Sequence, residues 1–207
     1  MFKIFEIKEP EIKVKGVHIL SICDARSDKA QFLQELCEEV RIERSYLIRH
    51  GLQTRKKLKE LHDKYSYYIS QLHKYFKLRE AVVENTTVTE GRSVLAQRLG
   101  GDTTYTGIAN YTALGSDNSA AVIGDTALGT ETYRKALTSG TDLNNIAYLE
   151  TFFTASEVTG TFEEYGNFID GTGAADSGQL FNRFTQTVVK SAVETLNVQS
   201  IITFLDA

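Results

Sequence analysis

Residues Tyr105–Ala136, YTGIANYTALGSDNSAAVIGDTALGTETYRKA, decide the fold class of this chain. Two runs that contain Thr, Tyr and Ala flank a polar segment rich in Gly, Ser, Asp and Asn. Aromatic and β-branched residues favour strands, whereas Gly, Asn and Asp favour the turns between them. The stretch therefore predicts β structure and marks the point at which the character of the chain changes.

From this stretch onward the chain has the pattern of consecutive short strands. The strand candidates are Ile108–Leu114, Thr130–Thr138, Ile146–Thr154, Thr161–Phe168, Gln179–Val189 and Thr195–Phe204. Short strands at this spacing, with turn residues between them, predict an antiparallel β-sandwich over residues 105–207. Its acidic, Thr-rich outer faces suggest a surface that is exposed to solvent.

The first part of the chain has a different pattern. Met1–Ile22 alternates loosely between apolar and charged residues and predicts one or two short strands, which cannot bury their apolar face alone. From Asp24 the apolar residues recur every three or four positions, which predicts helices. We therefore expect residues 1–84 to form a strand and helices for attachment and oligomerisation. Residues 85–104 form a connector with a short helix.

The helical part carries an apolar seam, and its members are Leu33, Leu36, Val40, Leu47, Leu58, Leu61, Tyr65, Tyr68, Leu72 and Tyr75. An unbroken helix of about 50 residues would be about 75 Å long. Either it folds back at Gly51 or it packs against copies of itself. Crowded aromatic residues favour self-association, whereas Glu43, His50 and Thr54 at seam positions favour a bend. The predicted fold is α+β, with an N-terminal strand and long helices in an oligomeric bundle or coiled coil, followed by the sandwich.

Composition and charge are those of a globular protein, with 42% hydrophobic residues, 24% charged residues and a net charge of −4. The charge is uneven, since residues 24–80 hold 13 Lys and Arg against 9 Asp and Glu, and residues 101–207 hold 4 against 13. This balance gives no general reason to expect nucleic-acid binding. No apolar run reaches the roughly 18 residues of a membrane span, and the chain start lacks a signal-peptide pattern. We expect neither membrane insertion nor export by that route.

The residue pattern predicts no catalytic, metal or cofactor site. Cys23 and Cys37 have no CxxC partner, and the four histidines are scattered. The segment IDGTGAADSG lacks the spacing of a phosphate-binding loop. Its Asp170 and Asp176 fit a turn better than a calcium site. We therefore predict a protein that is not an enzyme and holds no cofactor and no metal.

The second half also carries specific sequence pieces in a fixed order. They are NYTALGSD and DTALGTETYRKA, then TFFTASEVTGTFEEYGNF, IDGTGAADSGQLFNR and VVKSAVETLNVQSIITF. Together they cover roughly residues 86–204 and resemble a module of tailed-bacteriophage virion structural proteins of the tail-fibre and baseplate type. None of these motifs is catalytic, so the resemblance implies a building block of a particle.

The resemblance implies a short fibre, an adaptor, or a baseplate or neck protein of a tailed phage or phage-tail-like particle, made in the host cytoplasm. No shaft repeats follow the sandwich, which argues against a complete long tail fibre. The apolar and aromatic helices predict a homo-oligomer, and the resemblance implies that it is a trimer. Because Met1–Ile22 has strand character but cannot fold alone, we expect the N-terminal region to contact other virion proteins. The alternatives are a capsid decoration protein and a module that binds host-surface glycan, with Tyr105, Tyr111 or Tyr133 stacking on sugars.

Overall fold

The computed structural model describes residues 13–205, which form ten strands and three helices. The strands are β1 (Lys13–Asp24), β2 (Lys77–Glu84), β3 (Thr86–Thr87), β4 (Ala109–Gly115), β5 (Glu131–Ala136), β6 (Ser139–Leu143), β7 (Ile146–Phe153), β8 (Gly160–Ile169), β9 (Gln179–Lys190) and β10 (Glu194–Leu205). The helices are α1 (Asp28–Arg49), α2 (Arg55–Phe76) and α3 (Thr89–Leu99). Of the strand predicted within Met1–Ile22, the first 12 residues lie outside the described part.

The strands form two antiparallel sheets. Sheet A has the order β2-β1-β10-β7-β6, and sheet B has the order β3-β9-β8-β4-β5. β1 pairs with β10 from Lys13↔Leu205 to Asp24↔Glu194. The first and last strands of residues 13–205 are therefore neighbours inside sheet A, and β1 completes a sheet of its own chain.

The two sheets pack face to face, and two further layers cover them. The core between the sheets contains Leu20, Ile22, Leu114, Phe153, Phe162, Tyr165, Phe184, Val188, Leu196 and Val198. On the outer side of sheet A, Cys23 and Phe152 pack against α1 and α2. On the outer side of sheet B, Leu128 of the loop before β5 packs with Phe168 and Leu180. Side chains along a strand alternate between the two faces of its sheet, so each of these sheets carries apolar side chains on both faces.

The two long stretches of helical spacing form a hairpin. The side chain of Ser27 caps the start of α1 by accepting a hydrogen bond from Ala30 N–H at 3.1 Å. Gly51 has φ = 65°, the left-handed conformation that glycine adopts without steric cost, and it follows the end of α1. Thr54 caps α2 through Lys57 N–H. The turn lies in the part of the chain where polar residues, Glu43, His50 and Thr54, occupy positions of the apolar seam.

The predicted arrangement of an oligomeric helical bundle or coiled coil ahead of a separate sandwich is wrong. Each of α1 and α2 has 22 residues, and they fold back and cover one side of sheet A. The physical reason is that sheet A has a second apolar face, through Cys23 and Phe152, which the helices bury. The expectation of a solvated outer face also fails here, since Thr195 and Asn197 of β10 are buried on the helix side.

The predicted regions, residues 1–84, 85–104 and 105–207, do not correspond to separate sheets. β1 and β2 come from the first region, and β6, β7 and β10 come from the third, yet all five form sheet A. The connector contains α3, whose Val94 packs with Phe181 of sheet B and Ile202 of sheet A. Each of the three regions therefore contributes to the same packed structure.

Candidate functional site

The stretch that resembles the phage module folds as β4, a long loop and β5, and the buried Glu164 of β8 holds that loop in place. Its carboxylate accepts hydrogen bonds from the backbone N–H groups of Asp117 at 3.3 Å, Gly129 at 2.8 Å and Thr130 at 2.7 Å. Arg183 supplies the opposing charge, with Nε 2.9 Å from the same carboxylate. These bonds compensate the cost of burying the charge.

Arg183 also binds the loop directly. Its guanidinium lies 3.2 Å from Asp117 and 3.0 Å from Asp125. Asp117 belongs to the NYTALGSD piece and Asp125 opens DTALGTETYRKA. One buried arginine therefore joins both ends of the loop to β9, and the two aspartates of the motif have a structural role.

The basic residues of the motif also form ion pairs and hydrogen bonds within the fold. Arg134 forms a buried ion pair with Glu131, and its guanidinium also donates to backbone carbonyls of the loop that follows β8. Lys135 bonds the carboxylates of Glu38 on α1 and Glu157 after β7. The charged side chains of the resembling motif thus connect strands, a loop and a helix.

An open cleft of about 380 Å³ lies where α1 passes the glycine-rich loop after β8. We call it the arginine cleft. Its lining includes Arg41, Arg44 and Arg49 of α1, Asn110 and Tyr111 of β4, and the loop Gly171–Gly173. Three arginines and no carboxylate among its lining residues give the cleft a positive potential, because like charges add within one concave surface.

Arg44 is the most unusual residue of the arginine cleft, since this arginine is only 3% exposed. Its guanidinium donates to the carbonyls of Leu137 at 3.5 Å and Ala109 at 3.4 Å, and Nε has no hydrogen-bond acceptor among the described residues. A Cβ on Gly140 would lie 2.8 Å from Arg44 Nη2, so the glycine makes room for it. Burial lowers the pKa of Arg44 to about 10, which leaves it charged at neutral pH.

The two neighbouring arginines are more accessible. Arg41 forms an ion pair with Glu38 at 2.7 Å, and the same carboxylate also forms an ion pair with Lys135. Arg49 is exposed in the last turn of α1, and none of the ion pairs within residues 13–205 includes it. The cleft therefore combines one buried cation, one shared cation and one exposed cation.

The opposite wall of the arginine cleft is held rigidly. The side chain of Asn110 accepts from Gly171 N–H at 2.8 Å and donates to Gly171 C=O at 2.9 Å. Asp170 fastens the start of the same loop by accepting a hydrogen bond from Thr106 N–H at 2.7 Å. Ser177 donates to Ala174 C=O at 2.7 Å. The loop is pre-organised by side chains, and Asp170 acts as a fastening group within it.

A second polar cluster lies between α2 and sheet A, beside a cavity of about 170 Å³. His62 Nδ1 is 3.0 Å from Ser139 Oγ and 3.7 Å from Glu150 Oε1, and His62 Nε2 is 3.3 Å from Ser66 Oγ. The connectivity is that of a serine, a base and an acid, but 3.7 Å exceeds a hydrogen bond. Burial lowers the pKa of His62 and raises that of Glu150 to about 7, so both favour their neutral forms. This cluster fits helix–sheet packing better than catalysis.

Most residues of the predicted oligomer seam pack within the core of a single chain. Leu33, Val40, Leu47, Leu61, Tyr65 and Leu72 are buried between the helices and sheet A, with Leu36 and Tyr68 at the margin of that core. Leu58 is half-buried, and Tyr75 is exposed with Lys29 Nζ 3.9 Å from its ring centroid. Most of the seam is therefore used within the chain.

The tyrosines that were considered as sugar platforms are all half-buried. Tyr105 packs at the edge of the core around Ile202, and Tyr133 packs edge-to-face on Phe153 with ring centroids 5.9 Å apart. Tyr111 alone of the three lines the arginine cleft. The pattern on the sequence did not distinguish these three environments.

Sequence reasoning missed Arg44 because it continued the seam from Val40 to Glu43. A spacing of four from Val40 leads to Arg44 instead, and Leu47 lies three residues further. The structure buries Arg44 and exposes Glu43. A basic residue on the apolar stripe of an amphipathic helix is the signal that could have identified it.

Comparisons with known proteins add no family. No protein-family model, no curated protein and no solved structure matches the chain. Within residues 13–205 no helix has the length and apolar character that a membrane span requires. The same part of the chain holds no group of three or more His, Cys, Asp or Glu side chains suited to a metal ion.

Proposed function

We propose that this protein is a non-enzymatic structural component of a tailed phage or phage-tail-like particle. It serves as a short fibre, an adaptor, or a baseplate or neck protein, and it is made in the host cytoplasm. The proposal rests on the resemblance of residues 86–204 to phage virion modules.

One observation supports it most directly. The charged residues of the resembling motif, Asp117, Asp125, Glu131, Arg134 and Lys135, all form ion pairs that hold the β4–loop–β5 unit to its neighbours. A motif whose charged groups stabilise the fold suits a shared building element, because a catalytic site needs reactive groups that remain available to substrate.

The surface that would contact other virion proteins is the edge strand β2, within the N-terminal region. Its outer side is exposed, and Leu78 and Val82 are 53% and 64% exposed. An exposed edge offers unpaired backbone groups, and apolar side chains beside them favour pairing with another chain. The homo-oligomer remains part of this proposal, and its number of three subunits is taken from the resemblance alone.

Electron microscopy of the parent particle tests the proposal. We expect density for the two sheets and the helical hairpin at the tail, baseplate or neck. Purified particles that lack the protein by mass spectrometry would refute it.

Light scattering of the isolated protein tests the trimer. We expect a mass of about three times the 23.1 kDa of one chain. Val82→Asp tests the β2 edge, because a carboxylate there disfavours strand pairing, so this variant should fail to join particles. Val122→Asp is the matched control, since Val122 is similarly exposed on the loop before β5 and belongs to neither sheet. Equal incorporation of both variants would exclude the β2 edge as the contact.

A second candidate function is binding of host-surface glycan. The observation that favours it is Tyr111, which lies beside the arginines of the cleft and could stack on a sugar ring. Binding of the isolated protein on a glycan array, with loss of that binding in Tyr111→Ala, would support it. An array without signal would leave the structural role as the only candidate.

A further inference from the structure

We propose that the outer face of the α1–α2 hairpin is the contact surface for a second copy of this chain, with α1 of one copy packed against α2 of the next. This inference rests on the homo-oligomer of the proposed function and names the surface that would form it. The contact uses the side of the helices that faces away from sheet A, and most of the apolar seam stays buried inside each chain.

The outer face of the hairpin exposes five large apolar or aromatic side chains. They are Phe32, Ile42 and Tyr46 of α1 and Tyr67 and Tyr75 of α2, each between 51% and 61% exposed. Exposed apolar side chains grouped on one surface mark contact sites for other proteins, and tyrosine is enriched in such interfaces. The outer face therefore has the composition of an interface.

Each helix also carries a ridge of exposed charge on this face. The members are Glu35, Glu39 and Glu43 on α1, which we call the acidic ridge, and Lys57, Lys64 and Lys74 on α2, which we call the basic ridge. Spacings of four, seven and ten residues keep each set on one side of its helix, because a helical turn takes 3.6 residues. None of these six side chains takes part in an ion pair within residues 13–205.

The other exposed charges of α2 are mostly compensated within the helix. Glu60 lies 4.0 Å from Lys56, and Asp63 lies 3.5 Å from Lys59. The two acidic residues of α2 therefore have cations of their own, and the basic ridge is left without an opposite charge.

Charge complementarity identifies a second copy as the occupant. A neighbour with the same two ridges supplies lysines to the acidic ridge and carboxylates to the basic ridge. A partner of one charge sign would match one ridge and be repelled by the other. Contact between α1 of one copy and α1 of the next would oppose carboxylates, so α1 faces α2.

The hairpin also brings the two ridges to matching heights. Lys29 Nζ lies 3.9 Å from the ring centroid of Tyr75, so the start of α1 is beside the end of α2. Glu39 is ten residues after Lys29, and Lys64 is eleven residues before Tyr75, which places both at about the same level along the hairpin. A rotation axis parallel to the helices preserves this level, so Glu39 of one copy meets Lys64 of the next.

The face is large enough for a stable contact. Two helices of 22 residues, side by side, present a surface about 33 Å long and about 20 Å wide. Packing this face would bury on the order of 1,300 Å² in total, which is within the range of specific protein–protein interfaces. Because every copy carries both ridges, the contact closes with two copies or with three, and the number three still comes from the resemblance.

The test is sedimentation velocity of the full chain at about 1–100 μM, a range in which micromolar association is visible. We expect the unchanged protein to associate. Glu39→Lys and Lys64→Glu each place like charges opposite one another, and each should raise the Kd by about tenfold or more. The double variant Glu39→Lys/Lys64→Glu restores opposite charges in the reverse sense and should recover the Kd to within about threefold of the unchanged protein.

Three further measurements separate the contact from general effects. Arg92→Glu reverses an exposed charge on α3, outside the hairpin, and should leave association unchanged. Ile42→Asp removes an exposed apolar group from the face and should weaken association by about tenfold or more. Circular dichroism should show the same helical signal for all variants, since every altered residue is exposed.

The outcomes distinguish this inference from the proposal on which it rests. A mass of 23.1 kDa for the unchanged protein throughout the range would overturn both this contact and the homo-oligomer, whereas the role in a particle is decided by electron microscopy. An oligomer that persists in both single charge reversals would overturn this surface alone. So would a double variant that stays as dissociated as the single ones, or an equal loss in Arg92→Glu.

Discussion

Asn167 Nδ2 of sheet B donates a hydrogen bond to Ser200 Oγ of sheet A at 2.8 Å, in the interior between the two sheets. Ser200 in turn lies 2.7 Å from His18 Nδ1. On the other side, Thr112 Oγ1 donates to Asn167 Oδ1 at 2.8 Å and lies 2.7 Å from Thr151 Oγ1. A line of polar side chains thus crosses the core, and it fixes how the sheets align because each group has a specific partner.

Replacing Asn167 with Leu should strongly destabilise the fold. The change removes the three buried hydrogen bonds that the Asn167 side chain makes with Thr112, Asn182 and Ser200, and each such bond contributes about 0.5–1.5 kcal/mol. We expect the free energy of unfolding, measured in urea, to fall by about 3 kcal/mol or more. Asn118→Leu, at an exposed loop position, should change it by less than about 0.5 kcal/mol. Equal effects would show that the polar line adds no stability.

His18 should make the protein sensitive to acid. Burial lowers the pKa of His18 to about 3, against 6.5 for an unperturbed histidine. Between these two pH values the folded state therefore binds fewer protons than the unfolded state. The contribution of His18 to stability is complete above pH 6.5 and is lost as the pH falls toward 3. At pH 4.5 the loss should be on the order of 3 kcal/mol relative to pH 7.

The measurement compares His18→Asn with the unchanged protein by urea unfolding at pH 7 and pH 4.5. The asparagine retains an acceptor for Ser200 but does not titrate, so it should lower stability at pH 7 and remove this part of the acid sensitivity. Identical pH dependence in both proteins would show that His18 is not the group responsible.

Several strands could be predicted from local sequence because their pattern is local. The candidate Ile108–Leu114 corresponds closely to β4, and Thr195–Phe204 corresponds to β10. In β10 the alternation of apolar and polar side chains gave the correct two faces. What covers the polar face could not be read from β10 itself, because Asn197 finds its partner, Tyr65, 132 residues away.

The pairing of β1 with β10 and the position of the helices were not predictable from the pattern. β1 was expected to need a partner, and its partner proved to be the last described strand. Apolar periodicity shows that a helix has a buried face, but it does not tell whether a second copy or a sheet covers that face. The prediction of a coiled coil failed for this reason.

The candidate site depended on long-range contacts even more strongly. Arg44 comes from α1, Tyr111 from β4 and Gly171 from the loop after β8, so no local motif contains them. Tyr111 was noted from sequence as a sugar contact, and this remains a prediction. The proximity of the arginines follows only from the way that α1 crosses the sheets.

Glu150 should lower stability at alkaline pH. Burial raises the pKa of Glu150 to about 7, against 4.5 for an unperturbed glutamate, and Oε1 has no hydrogen-bond partner in the described chain. The folded state therefore binds more protons between pH 4.5 and 7, and stability falls as the pH rises through that interval. Glu150→Gln, which is neutral throughout, should stabilise the protein at pH 8 by on the order of 3 kcal/mol.

The same variant should have little effect below pH 4.5, where Glu150 is protonated in both states. Thermal unfolding of both proteins across pH 4–8 measures the difference. A constant difference across this range would mean that Glu150 does not titrate there.

Arg44 and Lys135 are both buried cations, but their removal should affect the stability of the fold differently. Lys135→Met leaves the neighbouring carboxylates of Glu38 and Glu157 without their shared cation, which should cost about 3 kcal/mol or more. Arg44→Met removes a buried charge that has no carboxylate partner, and methionine retains much of the aliphatic length. We therefore expect the free energy of unfolding of Arg44→Met to be unchanged or higher by about 1 kcal/mol. Urea unfolding at pH 7 in a buffer without phosphate or carboxylate provides the measurement. A loss in Arg44→Met as large as that in Lys135→Met would show that Arg44 stabilises the fold through its two carbonyl contacts.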